Sequence, residues 1–335
     1  MILTRTPLRV SLFGGGTDHP EWFMENGGAV VGMAINQFVY VGVKKMPPGQ
    51  EISPGIPLNY RVQYSKVDNC GAVDEIKHPA VRAALKYLNI DTPLEFHIFG
   101  DLPGRSGLGG SSAFSVGLLK ALQALFALPN GDNLTLAREA MSLERYMIPE
   151  TVGLQDQIFA AVGGVNYITF GQTSEVTPLN LTPEVEKELT DCLVLVYSGT
   201  MRDAHVIAAK QVENIPKNTE LLQHLVEHAK IGRGVLYDSR HRDVACNIGW
   251  LLHESWCVKR ELHPWITSGP ITELYNRAQG LGAIGGKLLG AGGGGFFLFC
   301  VRQDEMDYFI KDIGAQCVRF NINHTGCTII IGETP

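Results

Sequence analysis

Asp101-Leu-Pro-Gly104-Arg-Ser-Gly107-Leu-Gly109-Gly110-Ser111-Ser112-Ala-Phe-Ser-Val-Gly117 is the stretch on which the reading of this sequence turns. Before it, Leu94, Phe96 and Ile98 alternate as on a strand; after it, Phe114, Leu118, Ala121, Leu122 and Leu125 fall on one helical face. Between the two lie Gly104, Gly107, Gly109 and Gly110, followed by Ser111 and Ser112 where the helix should begin. Glycine lets a backbone approach a ligand without a Cβ in the way. A helix start offers unpaired N–H groups and a partial positive charge, so the stretch reads as an anion site, with phosphate the usual guest. No lysine follows the glycines before Lys120, which excludes a Walker A loop, and the glycine spacing excludes a dinucleotide fingerprint. Read alone, the stretch is equally a flexible loop with a helix cap.

Composition narrows the setting. The chain has 335 residues, 45% hydrophobic and 19% charged, which suits two globular domains sharing a cleft; the expected division is residues 1–190 and 191–335. A net charge of −6 disfavours nucleic acid or an anionic membrane as partner. The seven cysteines are scattered without a Cys-x-x-Cys pair, as expected of reduced thiols in a cytoplasmic protein rather than a zinc or redox site. No apolar run suggests a signal peptide or a membrane span.

Taken in order, residues 2–13 read as extended, broken at Pro7, and end in Gly14-Gly15-Gly16-Thr17-Asp18-His19. Those glycines permit a sharp turn, in which Asp18 is either a turn-maker or an acceptor, and Arg9 is either a countercharge or a surface residue. Residues 28–34 and 38–45 read as a strand pair, 60–67 as a strand and 79–88 as a helix. A helix from Asn133 to about Met147, with Thr135 as cap, carries Glu144 near its end. A short helix beginning around Gly153-Leu154-Gln155-Asp156-Gln157 holds Asp156 in its first turn, where it is either an ordinary N-terminal helix charge or a carboxylate kept ionised by the dipole and able to take or orient a hydroxyl proton. Leu193 to Tyr197 reads as a buried strand. Arg202 then opens a helical region whose start could hold a substrate phosphate. Trp250 and Trp256 read as core. Lys287 leads into a second glycine run, Gly290 to Gly295, and adds positive charge to the cleft. Segments 296–300, 304–313, 318–322 and 328–331 complete a compact α+β unit.

Three of these stretches resemble, in order, the motifs of the GHMP kinases: Thr6-Pro-Leu-Arg9-Val-Ser-Leu-Phe-Gly-Gly-Gly-Thr17-Asp18, the Gly104–Ser112 loop with Ala113, and Lys287-Leu-Leu-Gly-Ala-Gly292-Gly-Gly-Gly-Phe296. Gly110 is an insertion relative to the usual Gly-Leu-Gly-Ser-Ser, so either Ser111 or Ser112 takes the serine's role. The resemblance implies an α+β fold, with an N-terminal ribosomal-protein-like α/β domain and a C-terminal ferredoxin-like domain. It implies ATP on Gly104, Arg105, Ser106, Gly107, Leu108, Gly109, Gly110, Ser111 and Ser112, and Mg²⁺ on Ser112 and Glu144. Asp156 and Arg9 take the catalytic roles. Thr17, Asp18, His19, Gly153, Gln157, Arg202, Lys287 and Gly292 surround the substrate. Gly-x-x-Asp-Gln and the Gly-Gly-Gly-Thr-Asp turn resemble the sugar-1-kinase branch, above all kinases of D-glycero-D-manno-heptose 7-phosphate. Fucokinase-like phosphorylation of a free sugar and a catalytically silent sugar sensor are the alternatives. A homodimer is also among the expectations.

Overall fold

The computed structural model describes residues 1–47, 49–148, 151–200, 204–237 and 243–332. Its first sheet is built around two long strands, β1 (Ile2–Phe13) and β2 (Gly28–Lys45), joined by the glycine turn and α1 (Pro20–Asn26). Pro7 does not break β1. The register shifts between Pro7 and Leu8, so the residue without an N–H sits where the ladder is already interrupted. Nor are residues 28–34 and 38–45 two strands. They form one strand of 18 residues, long enough to serve different neighbours at its two ends.

A small hairpin, β3 (Glu51–Ser53) and β4 (Ile56–Pro57), precedes a second, β5 (Tyr60–Gln63) and β6 (Val67–Cys70), which replaces the single strand expected there. Then come α2 (Pro79–Tyr87), β7 (Leu94–Gly100), α3 (Gly110–Leu125), α4 (Asn133–Met147), α5 (Gln155–Val162), β8 (Val165–Phe170) and β9 (Glu175–Pro178). Residues 28–33 of β2 pair with β8 and residues 39–45 pair with β7. Among the described residues only β5 and β7 run parallel within this sheet. Asp132 caps α4, its carboxylate accepting from Thr135 N at 2.8 Å, so the cap lies three residues before the Thr135 expected from sequence.

After α6 (Pro183–Cys192) the chain enters a second, antiparallel sheet through β10 (Leu193–Tyr197). It continues through α7 (Ala204–Glu213), α8 (Thr219–Tyr237), α9 (Val244–Glu261), α10 (Gly269–Gly280), β11 (Ala283–Leu288), β12 (Phe296–Val301), α11 (Met306–Asp312) and β13 (Cys317–Val318). The strand order is β11-β12-β10-β13. Trp256, Tyr275, Phe297, Phe299 and Phe309 form its aromatic core. Trp256 is buried as expected; Trp250 is not, at 58% exposure on the outer face of α9. The final strand, β14 (Thr328–Ile331), leaves this unit altogether and pairs with β1 in the first sheet.

Every residue from Thr6 to Phe13 is buried, the mark of a strand covered on both faces, and α3, α5 and α8 all pack against it. The C-terminal end of β1 is thereby held rigidly where the two sheets meet. Among the described residues no helix is long and apolar enough to cross a membrane.

Candidate active site

The glycine loop is clamped from both sheets. Arg9 N, on β1, donates to Leu108 O at 3.0 Å, and Phe296 N, opening β12, donates to Ser106 O at 3.0 Å. The fit is close enough to demand glycine. Gly295 has φ +94°, and a Cβ there would lie 2.4 Å from Ser106 O; Gly107 has φ +79°, and its Cβ would lie 2.7 Å from Leu289 O. The loop ends in Gly109, left-handed at φ 74°, and α3 begins at Gly110 with no side chain capping it. Its first N–H groups are therefore available to an anion.

Below the loop lies a cleft of roughly 1170 Å³ including its open mouth, lined by the loop, the end of β1, the start of α5, α9 and β11. Arg9 and Asp156 form a two-pronged pair, Nε to Oδ1 and Nη2 to Oδ2, both at 2.7 Å. The remaining arm of Arg9 donates to Gly107 O at 2.6 Å, so one guanidinium ties the carboxylate to the loop. Asp18 is 3% exposed; its carboxylate accepts from Gly16 N at 3.0 Å and from Gln155 N at 3.3 Å, which stitches the first glycine turn to α5.

Gly153 leaves room for this carboxylate, because a Cβ there would lie 2.1 Å from Asp18 Oδ2. Gly153→Ala is expected to displace Asp18 from Gly16 N and Gln155 N, at a cost of about 1–3 kcal/mol for the hydrogen bonds lost inside the fold, and thermal melting beside wild type checks this.

Glu144 lies behind the loop, out of the cleft and 2% exposed. Ser112 Oγ donates to its Oε2 at 2.9 Å and Gln157 Nε2 donates to the same oxygen at 2.6 Å, while Oε1 has no hydrogen-bond partner. Burial pushes its carboxyl above the usual range, against the opposing hydrogen bonds. An orphaned carboxylate oxygen beside a serine hydroxyl at a phosphate loop is a hard-oxygen donor set of the kind Mg²⁺ takes together with phosphate oxygens. A raised folded-state value means that the unfolded chain holds fewer protons above the ordinary carboxylate pKa. Stability contributed at this site is therefore lost as pH rises from that value through the raised one. Glu144→Gln should remove this loss, raising the melting temperature at neutral pH relative to wild type; melting curves across pH test it.

Three further polar atoms on the cleft residues are buried without partners: Ser11 Oγ, His19 Nδ1 and Gln155 Oε1. Lys259 and Lys287 complete the wall, 7% and 4% exposed.

Of the residues expected from sequence, Arg9, Asp18, His19, Arg105, Ser106, Gly107, Gly109, Gly110, Ser111, Ser112, Gly153, Asp156 and Lys287 all line this one cleft. Thr17 does not: its hydroxyl donates to Gly14 O at 2.8 Å and Ala29 O at 3.1 Å, holding the turn. Leu108 is buried under the loop and Gly104 is exposed beyond its rim. Gln157 faces Glu144 rather than the cleft, and Gly292 packs on Ile266. Arg202 lies outside the described residues. Sequence reasoning passed over Ser11, Gln155 and Lys259. Ser11 sits two positions from Arg9 on a strand, hence on the same face, which was a usable signal; Lys259 has no local signal at all.

A phosphate-binding loop gripped by two sheets, above a cleft with a carboxylate–guanidinium pair, belongs to the class of ATP-dependent small-molecule kinases. A family model described as the GHMP kinases N terminal domain matches residues 75–164. The chain is 29% identical over 317 residues to the D-glycero-alpha-D-manno-heptose 7-phosphate kinase of Campylobacter jejuni, covering 92% of each chain. It is also 29% identical over 330 residues to the bifunctional fucokinase/GDP-fucose pyrophosphorylase of Arabidopsis thaliana, covering 89% of this chain but 30% of that longer protein. The fold superposes on a D-glycero-D-manno-heptose 1-phosphate kinase from Bacteroides thetaiotaomicron with a TM-score of 0.79 at 20% identity, covering 99% and 100% of the two chains. On Lactococcus lactis galactokinase complexed with galactose the TM-score is 0.74 at 20% identity, covering 98% and 94%. Residues 75–164 carry the match to the GHMP kinase N-terminal domain, and the whole chain has the fold of the sugar kinases it superposes on.

Proposed function

We propose that this kinase phosphorylates the anomeric hydroxyl of a sugar phosphate, with D-glycero-D-manno-heptose 7-phosphate as acceptor and the 1,7-bisphosphate as product. The observation that carries the reading is the Arg9–Asp156 pair held against the glycine loop, which sets a proton acceptor beside the place where a terminal phosphate would lie. Similarity to the heptose kinase over 92% of both chains supports the choice of acceptor.

In this reading the loop N–H groups and the start of α3 hold the ATP phosphates. Asp18 orients the acceptor by accepting from its hydroxyls. Asp156 takes the anomeric proton as that oxygen bonds to the γ-phosphorus and the bond to the ADP oxygen breaks. Arg9 keeps Asp156 in place and adds positive charge beside the transferring group. Ser112 and Glu144 would hold Mg²⁺, which when bound supplies neutralisation of the phosphate charge. The seven cysteines are all free thiols, which supports a cytoplasmic setting.

ADP release with Mg²⁺-ATP over a panel of sugars and sugar phosphates tests the assignment. Turnover on heptose 7-phosphate above all others is expected. Turnover confined to free sugars would move the assignment to a fucokinase-like enzyme, and ATP binding without turnover on any sugar would overturn it in favour of a sensor.

A further inference from the structure

The mechanism above leaves two buried cations unused. Lys259 closes the last turn of α9 and Lys287 lies on β11; both are almost fully buried, yet both line the cleft. Burying an ammonium without a paired carboxylate is costly. Here the partners are mostly backbone carbonyls. Lys287 Nζ donates to Leu12 O at 2.9 Å, and Lys259 Nζ donates to Leu288 O at 2.7 Å and to Gly290 O. In the protonated form that a bound phosphate would favour, each ammonium carries three N–H groups, of which Lys287 then has two and Lys259 one beyond those given to backbone carbonyls. The charge around them does not balance. Arg9 and Lys287 raise the positive potential at Lys259, Asp18 is the carboxylate acting on both amines, and His228 on α8 faces Lys287. Asp156 is already engaged by Arg9.

We propose that Lys259 and Lys287 form a second phosphate-binding site within the cleft, separate from the helix start of α3, which receives phosphate oxygens through the amine N–H groups that the backbone carbonyls leave free. The inference rests on the kinase reading for the source of that phosphate, which is either the acceptor's own phosphate or the γ-phosphoryl group of ATP. It explains why two amines are kept in a wall that a leucine or methionine would fill at less cost. It also gives the site a signature. Burial pushes both amines down, Lys287 to about 7 and Lys259 well below the usual lysine range. An arriving phosphate dianion restores the charged form, so docking takes up a proton from the buffer at neutral pH.

The test is calorimetric titration in two buffers of different ionisation enthalpy, on wild type, Lys259→Met and Lys287→Met. The ligands are AMP-PNP and ADP on the free protein, then inorganic phosphate and heptose 7-phosphate, with free heptose as control, on protein saturated with AMP-PNP. If the site takes the acceptor's phosphate, heptose 7-phosphate binds with proton uptake, and each variant weakens it by about tenfold or more while free heptose is unaffected. If it takes the γ-phosphoryl, the variants weaken AMP-PNP but not ADP, and the uptake appears with AMP-PNP. Either pattern supports a second phosphate site. The second pattern, with no sugar phosphate bound by wild type, would retain the site while sinking the sugar-phosphate acceptor. Should the methionine variants fail to fold, wild type alone decides through acetic anhydride footprinting, where phosphate ligands should protect Lys259 and Lys287. Unchanged affinities in folded variants, or wild type showing neither proton uptake nor protection with any phosphate ligand, would overturn the proposal and leave the lysines as braces between α9 and β11.

Discussion

Asp156→Asn is expected to lower kcat by about 10²–10⁴-fold, the usual range for loss of a positioned general base, with little change in either KM. Asparagine keeps the shape of the side chain and one oxygen for Arg9, so Arg9 can still reach Gly107 O, and the loop retains its contacts to Leu108 O and Ser106 O. What disappears is an atom able to accept the anomeric proton. The melting temperature should fall by a few degrees at most, because Arg9 loses a charged partner but stays hydrogen-bonded. Single-turnover phosphoryl transfer measured beside thermal melting separates the two effects. A fall in kcat of less than about tenfold would make Asp156 an anchor for Arg9 rather than a base.

The largest structural effect is expected at Gly295. An alanine there must hold a left-handed φ near +94° and place a methyl 2.4 Å from Ser106 O, a backbone atom that cannot move without the phosphate loop. A strained φ alone costs about 1–3 kcal/mol, and the clash adds to it, so a loss of about 3 kcal/mol or more is expected. With an unfolding entropy of about 2.1 cal/mol/K per residue over 335 residues, that corresponds to a fall in melting temperature of about 4 °C or more. ATP affinity should fall as well, since relief of the clash requires separating the loop from β12. Alanine at Gly49, with nothing within 4 Å but a comparable φ of +79°, is the control for backbone strain without the clash. Equal effects at the two positions would remove the clamp from the explanation.

The cleft was legible in the sequence to the extent that its parts are local. Glycine runs, the Asp18 turn and the first turn of α5 each carry their chemistry in a few consecutive residues, and most of the residues named there converge. The errors have a common physical origin in that they concern partners distant in the chain. Thr17 has the right neighbours but is consumed by the backbone of Ala29. Gln157 points away because Glu144 is buried on the preceding helix. Lys259 sits in the middle of an ordinary helical sequence, and only the packing of α9 on β11 brings its amine to Gly290. Strand limits failed for the same reason. β2 reads as two pieces because its polar centre, Asn36-Gln37, looks like a turn; β1 pairs on either side of these two residues, and Asn36 N donates to the distant Asn321 O instead. On the outside of α9, Trp250 matched the spacing of a core residue, but the face it occupies is uncovered.

The pairing of β14 with β1 joins Leu3 to Ile331. Leu3 is synthesised 328 positions before Ile331, so the pairing must wait for that length of chain to be made. Through that interval β1 presents an open edge on the side that β14 will occupy, exposed to any other extended segment in reach. Closing so long a loop is also slow, since the chain entropy is lost before the contact repays it. Assembly of this enzyme is thus gated by the late arrival of β14. Its yield in a cell should depend on elongation rate and on chaperones that shield a strand edge, and less on the stability of the finished molecule.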